Sequence, residues 1–566
     1  MKKSNNKYTV TAAFPYANGP IHIGHLAGVY LPADIFVRYL RRKKKEVIFI
    51  CGSDEHGVPI TIQAKKENTT PKEIVNKYHF MIKDCFDNFG IHFDNYSRTS
   101  TVIHQKISTS FFKKLHKEKK IFEKVSEQYY DNQAKQFLAD RYISGICPHC
   151  KHNEAYGDQC ESCGSSLSPE ELISPMSTIS GSTPVLKKTK HWYFPLNEYQ
   201  NFLKKWILTD HQQDWKVNVY GQAKSWLDQG LQPRAITRDL DWGIPIPIPK
   251  EIGKVLYVWF EATIGYISST IEWAKRKKKD WKPYWKDERT KLIQFIGKDN
   301  IVFHCIIFPS ILKAYNHGYI LPDKILANEF LNLENEKIST SRNWGVWLHE
   351  YLRDFPNQQD TLRYILIAKM PEKKDNNFNW KDFQRINNTE LVAILGNFVN
   401  RSLTLIQKYN NGIVPNPGLF SITDKSILKK ISRYPDNIGD LIESFRFREA
   451  LICFMDLARL GNKYLTEEEP WNIIKKKERR VETILYVSLQ IVGMLAQLAE
   501  PFLPYTANKL LKMLRLEVYF WKKIENVEEI LCPGHVLGKY TLLFNKITNK
   551  SVEKQLEKLG KVTYEK

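Results

Sequence analysis

A chain of 566 residues with 42% hydrophobic content can bury several cores, and length alone divides it into about three or four domains. Lys and Arg outnumber Asp and Glu by 84 to 62, a formal charge of +22; this permits a polyanionic partner, although a compositional bias toward Lys, Ile and Asn gives the same excess. No apolar run approaches the roughly 20 residues of a membrane span, and Met1 to Lys7 lead straight into a strand without a signal-peptide core, so a cytoplasmic location is expected.

The first element is a β-branched strand, Tyr8 to Ala13. Pro15 and the run Asn18, Gly19, Pro20 break it, and Leu26, Val29, Tyr30, Ala33, Val37 and Leu40 then recur at helical spacing. His22 and His25 therefore fall at a strand-to-helix junction, where free N–H groups and the positive helix end attract a polyphosphate. Gly24, without a Cβ, lets a flat base approach the backbone between them. Imidazole N–H groups can meet charge developing on the phosphates; the plainer alternative is a turn with two surface histidines. A second apolar strand, Glu46 to Cys51, leads to Asp54 on the same rim. Its carboxylate either pairs with a substrate ammonium or caps the next helix.

From about Gln128 to Tyr220 short aromatic and β-branched segments alternate with Pro and Gly. Within them, Cys147 and Cys150 form one C-x-x-C pair and Cys160 and Cys163 another, a spacing suited to tetrahedral Zn²⁺. Four thiolates leave no open position, so the metal is expected to be structural. Cys51, Cys85, Cys305, Cys453 and Cys532 are scattered, in keeping with a reducing compartment.

A second α/β set is expected beyond residue 230. Lys254 to Tyr266 reads as a strand passing into a helix, and Lys291 to His304 repeats the design, so the cysteine-bearing segment splits one sheet. The loop from Leu333 to Arg342 is rich in hydroxyls and cations; a mobile lysine there could close over a departing pyrophosphate, or the stretch is a solvated turn. Past Asp382 the chain reads as helical almost to its end. Ile484, Val487, Ile491, Met494 and Leu498 form one apolar stripe, stopped by Pro501 and Pro504.

Taken in order, these motifs resemble those of class I aminoacyl-tRNA synthetases, with Pro15 to His25 similar to the HIGH signature of methionyl-tRNA synthetases and Lys337 to Ser341 to the KMSKS loop. The resemblance implies an α/β fold: a Rossmann-type parallel sheet split by a zinc-containing connective insertion, then an all-α anticodon-binding helix bundle. The implied boundaries are 1–120 and 233–330 for the two catalytic halves, 121–232 for the insertion, 331–388 for the loop and stem-contact region, and 389–566 for the bundle. The implied activity is formation of methionyl-adenylate from L-methionine and Mg-ATP, then transfer to tRNA(Met). ATP is expected at His22, Gly24, His25, Gly297, Lys298, Asp299, Lys337, Ser339, Thr340 and Ser341. Methionine is expected at Ala13, Phe14, Tyr16, Asp54, Trp259, Ala262, Tyr266 and His304, with Arg238 holding Asp54. Asn400 and Trp471 match anticodon readers, and Cys147, Cys150, Cys160 and Cys163 the zinc knuckle.

The chain departs from the family pattern in four respects. Thr340 stands where the loop often has a second lysine, leaving Lys337, Arg342 or Lys298 to meet the pyrophosphate; Thr263 replaces a common proline; Thr404 falls where some members have an arginine. The chain also ends without the C-terminal domain through which many relatives dimerise, from which a monomer is expected. The rival readings are a class I synthetase for leucine, isoleucine, valine or cysteine, and a non-catalytic tRNA-binding paralogue. The first three amino acids call for an editing domain that the insertion has no room for. A cysteine enzyme would want zinc at the substrate.

Overall fold

The computed structural model describes residues 7–157, 160, 167, 169–249, 251–340, 342–522 and 529–559; Cys163 and Ser341 lie outside the described residues. A five-stranded sheet organises the N-terminal half, in the order Lys324–Asn328, Lys291–Gly297, Lys7–Ala12, Glu46–Ser53, Asn95–Arg98. Every pair is parallel. Val10 lies opposite Ile293 on one side and Phe49 on the other, all three buried, as expected of strands covered on both faces. Crossover helices make this arrangement possible. The one that follows the first strand runs from Ile23 to Arg42 with a π-turn at Leu26–Tyr30, and its six predicted apolar positions are all buried.

The carboxyl ends of the strands at Ala12, Ser53 and Gly297 share one rim, where open α/β sheets collect ligands. Between the third and fourth strands in chain order stands a separate antiparallel body. The strand Phe122–Asp131 pairs with Val185–Phe194, and Arg234–Ala235 adds to the other side of the latter. A smaller sheet, with Ile143–Ile146 between Ala155–Tyr156 and Ile173–Ser177, carries the cysteines over its own small core of Leu138, Tyr142, Ile143 and Ala155.

One expectation fails here. Lys254 to Tyr266 is not a strand of the parallel sheet: only Lys254–Leu256 is extended, it pairs antiparallel with Thr237–Asp239, and the chain turns helical from Val258. The parallel sheet resumes at Lys291, well after residue 233. Thr263 sits in a helical turn.

The C-terminal half packs long helices, Asn397–Asn410, Phe447–Glu468 and Glu478–Leu498 among them. The last is long and apolar enough to cross a membrane by length and composition, an exception to the expectation that no such run exists, but 94% of that stretch is buried inside the bundle. The expectation of helix almost to the end also needs correction. After Pro504–Leu514 much of the chain to Thr548 is irregular, tied down by main-chain bonds such as Leu537 N to Gly412 O (2.9 Å) and Gly538 N to Met513 O (2.7 Å), before Asn549–Lys558 closes the fold. The buried Trp521 packs edge-on against Tyr39, with 4.8 Å between ring centroids.

Candidate active site

The chain leaves the first strand, turns through the Pro-Gly segment and starts its helix at His22. The His22 Nδ1 accepts from the backbone N–H groups of Gly24 (3.1 Å) and His25 (3.4 Å), while His22 N donates to His25 Nδ1 (3.2 Å). Each imidazole is thereby fixed as the tautomer that carries its proton on Nε2. The rings stack at 3.7 Å. Burial pushes both below the usual histidine range, His25 to about 4, with the neighbouring His25 a further cause for His22. Two neutral N–H donors therefore point away from the helix start at physiological pH, a suitable arrangement for phosphate oxygens.

Directly against this turn lies the Lys337 loop. A Cβ added to Gly24 would stand 3.0 Å from the His22 ring and 3.3 Å from Ile338 Cδ1, so the missing side chain lets the loop close on the motif. The backbones join as well: Ile23 N donates to Val346 O (3.1 Å) and Leu348 N to Ile21 O (3.0 Å), and the Trp347 ring lies 5.7 Å from that of His22. Of the three candidate cations, Lys298 is held by Glu329 (2.9 Å) and Asp375 (3.5 Å), and Arg342 by Glu336 (3.4 Å). Lys337 is exposed, its ammonium 5.3 Å from the centroid of Phe330, with no ion pair among the described residues. Asp299 lies nearby; burial raises its carboxyl against the pull of Lys337 and Lys298.

Asp54 follows the second strand directly and is bridged to the first motif, with Asp54 N donating to Pro15 O and Ala17 N to Asp54 O, both at 2.9 Å. It does not cap the following helix, whose N-cap is Gly57 at a φ of 97°. A Cβ at Gly57 would meet Tyr16 Oη at 2.8 Å. The buried Oδ1 of Asp54 has no hydrogen-bond partner, and burial, then the charge of Glu261, raise its carboxyl well above the usual range. The proposed Asp54 to Arg238 pairing is not formed. Arg238 instead lies 4.4 Å from the centroid of Tyr257, and the groups that support its charge are Tyr257, Asp140 and Tyr193.

Sequence reading missed what does surround Asp54. Glu261 is fully buried and accepts from His56 Nδ1 (2.8 Å) and His104 Nε2 (2.5 Å); burial pushes its carboxyl up, but the two imidazoles outweigh it and hold the group below its ordinary value. The available signal was an acidic residue inside the apolar run from Val255 to Ile264.

Beside the rim, the Phe14 ring meets Tyr266 edge-on at 5.0 Å, and Tyr266 Oη donates to His304 Nε2 at 2.8 Å. His304 Nδ1 donates to Asn300 O (2.9 Å), and burial lowers the ring to about 4. Ala13 is fixed by its N–H to Phe295 O and its carbonyl to Tyr30 Oη, both 2.9 Å. The buried Trp259 lies in the short helix Val258–Glu261, with Ala262 following it.

Away from the rim, Cys147, Cys150 and Cys160 offer sulfurs within 4.8 Å of one another, Cys150 and Cys160 at 3.5 Å. No disulfide joins the eight described cysteines. On the bundle, Trp471 is 37% exposed with the Arg401 guanidinium 4.9 Å from its ring centroid, and Asn400 accepts from Thr404 Oγ1 at 3.3 Å one turn along the same helix. Arg401, a cation beside the exposed tryptophan, was not singled out from sequence.

Two family models between them match most of the chain. One described as tRNA synthetases class I (M) matches residues 8–403, and one described as anticodon binding domain of methionyl tRNA ligase matches residues 414–563. The chain belongs to the class I methionyl-tRNA synthetases. Among curated relatives, the protein named Methionine--tRNA ligase of Christiangramia forsetii is 60% identical over 566 residues, covering 99% of this chain and 82% of that protein. Its namesake from Flavobacterium psychrophilum is 58% identical over 560 residues, with 99% and 82% covered. The fold is also that of Mycobacterium tuberculosis methionyl-tRNA synthetase bound by methionyl-adenylate, with a TM-score of 0.79 at 23% identity over 95% of this chain and 100% of the other. The methionyl-tRNA synthetase architecture seen here is thus a parallel-sheet catalytic half followed by a helical anticodon-binding half.

Proposed function

We infer that this chain activates L-methionine with ATP to methionyl-adenylate, releasing pyrophosphate, and then transfers methionine to the 3′ end of tRNA(Met). The supporting observation is the convergence of His22, His25, the Lys337 loop and Asp54 on one rim, in a chain 55–60% identical along nearly its whole length to relatives named for this reaction.

In the first step the methionine carboxylate is itself the nucleophile on the α-phosphorus, so positioning and charge stabilisation carry the chemistry and no protein base is required. The Nε2–H groups of His22 and His25 meet the phosphate oxygens as charge grows on them. Lys337, the candidate cation without an ion pair among the described residues, serves the departing pyrophosphate; Thr340, whose methyl lies near Gly19, adds no charge. Gly297, Lys298, Asp299 and Ser339 complete the nucleotide cradle, with Mg²⁺ entering as part of the ATP substrate.

The methionine ammonium takes the place prepared by Asp54. A buried carboxyl with one oxygen unpartnered and a second carboxylate nearby is strongly relieved by a cation. Phe14, Tyr16, Trp259, Ala262, Tyr266 and His304 surround an unbranched thioether, which aromatic edges favour over branched aliphatics. The three clustered thiols fit Zn²⁺, since Zn–S bonds of about 2.3 Å place tetrahedral sulfurs roughly 3.8 Å apart; Cys147, Cys150 and Cys160, with Cys163, would hold it as a structural staple. Asn400 and Trp471 face the anticodon, with an unpaired base stacking on the indole.

Methionine-dependent exchange of labelled pyrophosphate into ATP, run with leucine, isoleucine, valine and cysteine in parallel, tests the assignment. Exchange with methionine alone is expected. Exchange that proceeds equally with another of the four, or with no amino acid, contradicts it.

A further inference from the structure

The buried His56 bears on Tyr16, Asp54 and Glu261 at once. Its carbonyl accepts from Tyr16 Oη. Its N–H acts on the Asp54 carboxyl, opposing the burial and the Glu261 charge that raise that group. Its ring donates from Nδ1 to Glu261 at 2.8 Å, and Glu261 stands in the chain between Trp259 and Ala262.

The segment around His56 is anchored on both sides. Glu55 accepts from Ser53 Oγ (2.6 Å) and Arg98 Nε (2.7 Å), and its carbonyl accepts from Trp242 Nε1 (2.6 Å). On the other side, the second oxygen of Glu261 accepts from His104 Nε2 (2.5 Å), whose Nδ1 lies 2.9 Å from Ser268 Oγ; that hydroxyl donates to Gly265 O (3.1 Å). Gly57, without a Cβ, leaves the Tyr16 hydroxyl room to reach the His56 carbonyl.

A buried carboxylate shared by two histidines is a costly way to brace a fold, since apolar side chains of similar volume often do as well or better. Charge-assisted hydrogen bonds add something packing does not, a defined direction for the group they hold. Direction matters here. The β-bridge between Tyr16 and Asp54 sets where the Tyr16 side chain begins, and the His56 carbonyl sets where its hydroxyl end lies.

We propose that His56 is a positioning residue for methionine: held by Glu261 and His104, it aims the Tyr16 ring at the thioether and the Asp54 carboxyl at the ammonium, so that both ends of one substrate depend on a single anchored residue. The proposal rests on the activity inferred above and adds a residue through which methionine affinity and selectivity are set.

The test is methionine-dependent pyrophosphate exchange by the full chain, with methionine and ATP varied separately and rates normalised to active sites. His56→Leu, which loses the bond to Glu261, should raise KM for methionine about tenfold. Its kcat and its KM for ATP should stay within about threefold of the wild type. The preference for methionine over norleucine, which has a methylene in place of sulfur, should fall as Tyr16 loses its aim. His56→Asn, whose amide N–H can stand in for Nδ1–H, should recover most of both effects. If His56→Leu does not fold, His56→Leu combined with Glu261→Gln, which strands no buried carboxylate, is judged by the same criteria. The proposal is overturned if KM for methionine does not change, if KM for ATP rises as much, or if His56→Asn is no better than His56→Leu, since the network would then only brace the fold. Absence of methionine-dependent exchange in the wild type would instead overturn the activity itself.

Discussion

His304 shows how burial turns a titratable side chain into a fixed acceptor. Its Nδ1–H is committed to the Asn300 carbonyl, so its Nε2 must accept from Tyr266, and only the neutral ring can do both. The folded value of about 4 lies below the unfolded value of about 6.5. The unfolded chain therefore binds the extra proton first as pH falls, and the stability held above pH 6.5 is lost progressively down to about 4. His304→Gln removes this titration. The wild type is expected to lose about 2 kcal/mol more than His304→Gln between about pH 7 and pH 5, read from thermal midpoints of the two proteins; parallel curves would contradict the assigned tautomer. This residue was legible only through the family resemblance, and His22 and His25 through the strand-to-helix junction on which they fall. Glu261 was not, because its partners His56 and His104 lie 205 and 157 residues away. A pairwise guess, Arg238 with Asp54, failed for the same reason: distance along the chain carries no information about which of several cations a carboxylate meets.

At the scale of elements, periodicity located the strands Lys7–Ala12, Glu46–Ser53 and Lys291–Gly297 and the long buried helices, because each pattern is set by one continuous face against the core. At Lys254 to Tyr266 it gave the strand passing into a helix that Lys254–Leu256 and Val258–Glu261 form, but not the sheet that the strand joins, because a single strand's period does not name its pairing partner. It failed between Arg515 and Thr548, which is held by main-chain bonds to distant loops and has no period to read. The cysteine knuckle is an element whose stability should come from its metal. The pairs β-paired around it, Ile143–Ile146 with Ala155–Tyr156 and Ile173–Ser177, are short, and the small core beneath them is separate from the main one. Elemental analysis is expected to give about one zinc per chain, and strong chelators or Cys147→Ser should make residues 143–177 the first site of proteolysis. Metal-free protein with the same protease resistance would show that the β-pairing alone suffices.

The whole molecule depends on how its helical half is clasped to its catalytic half, and the clasp lies on the same helix that begins at His22. Asp34 accepts from Arg38 (2.8 Å) and from Arg363 (2.6 Å), Arg38 reaches Glu500 beyond the bundle's longest apolar helix (2.6 Å), and Arg363 donates to Phe502 O (2.9 Å). Arg363 is fully buried and Asp34 nearly so; burial raises the Asp34 carboxyl, but Arg38 and Arg363 outweigh it and the group stays below its ordinary value. Removing the shared acceptor leaves a buried guanidinium without its counter-charge, a loss of about 3–5 kcal/mol. Asp34→Ala is therefore expected to lower the thermal midpoint and to expose the junction between the halves to protease. Because the candidate anticodon residues Asn400 and Trp471 stand on the bundle while the rim that activates methionine does not, charging of tRNA should suffer more than pyrophosphate exchange. Glu500→Gln, at the more exposed end of the same network, should show the smaller form of both effects, about 1 kcal/mol or less as for a partly exposed pair. Equal loss of exchange and charging in both variants would mean that the network supports the catalytic core alone and does not couple the two halves.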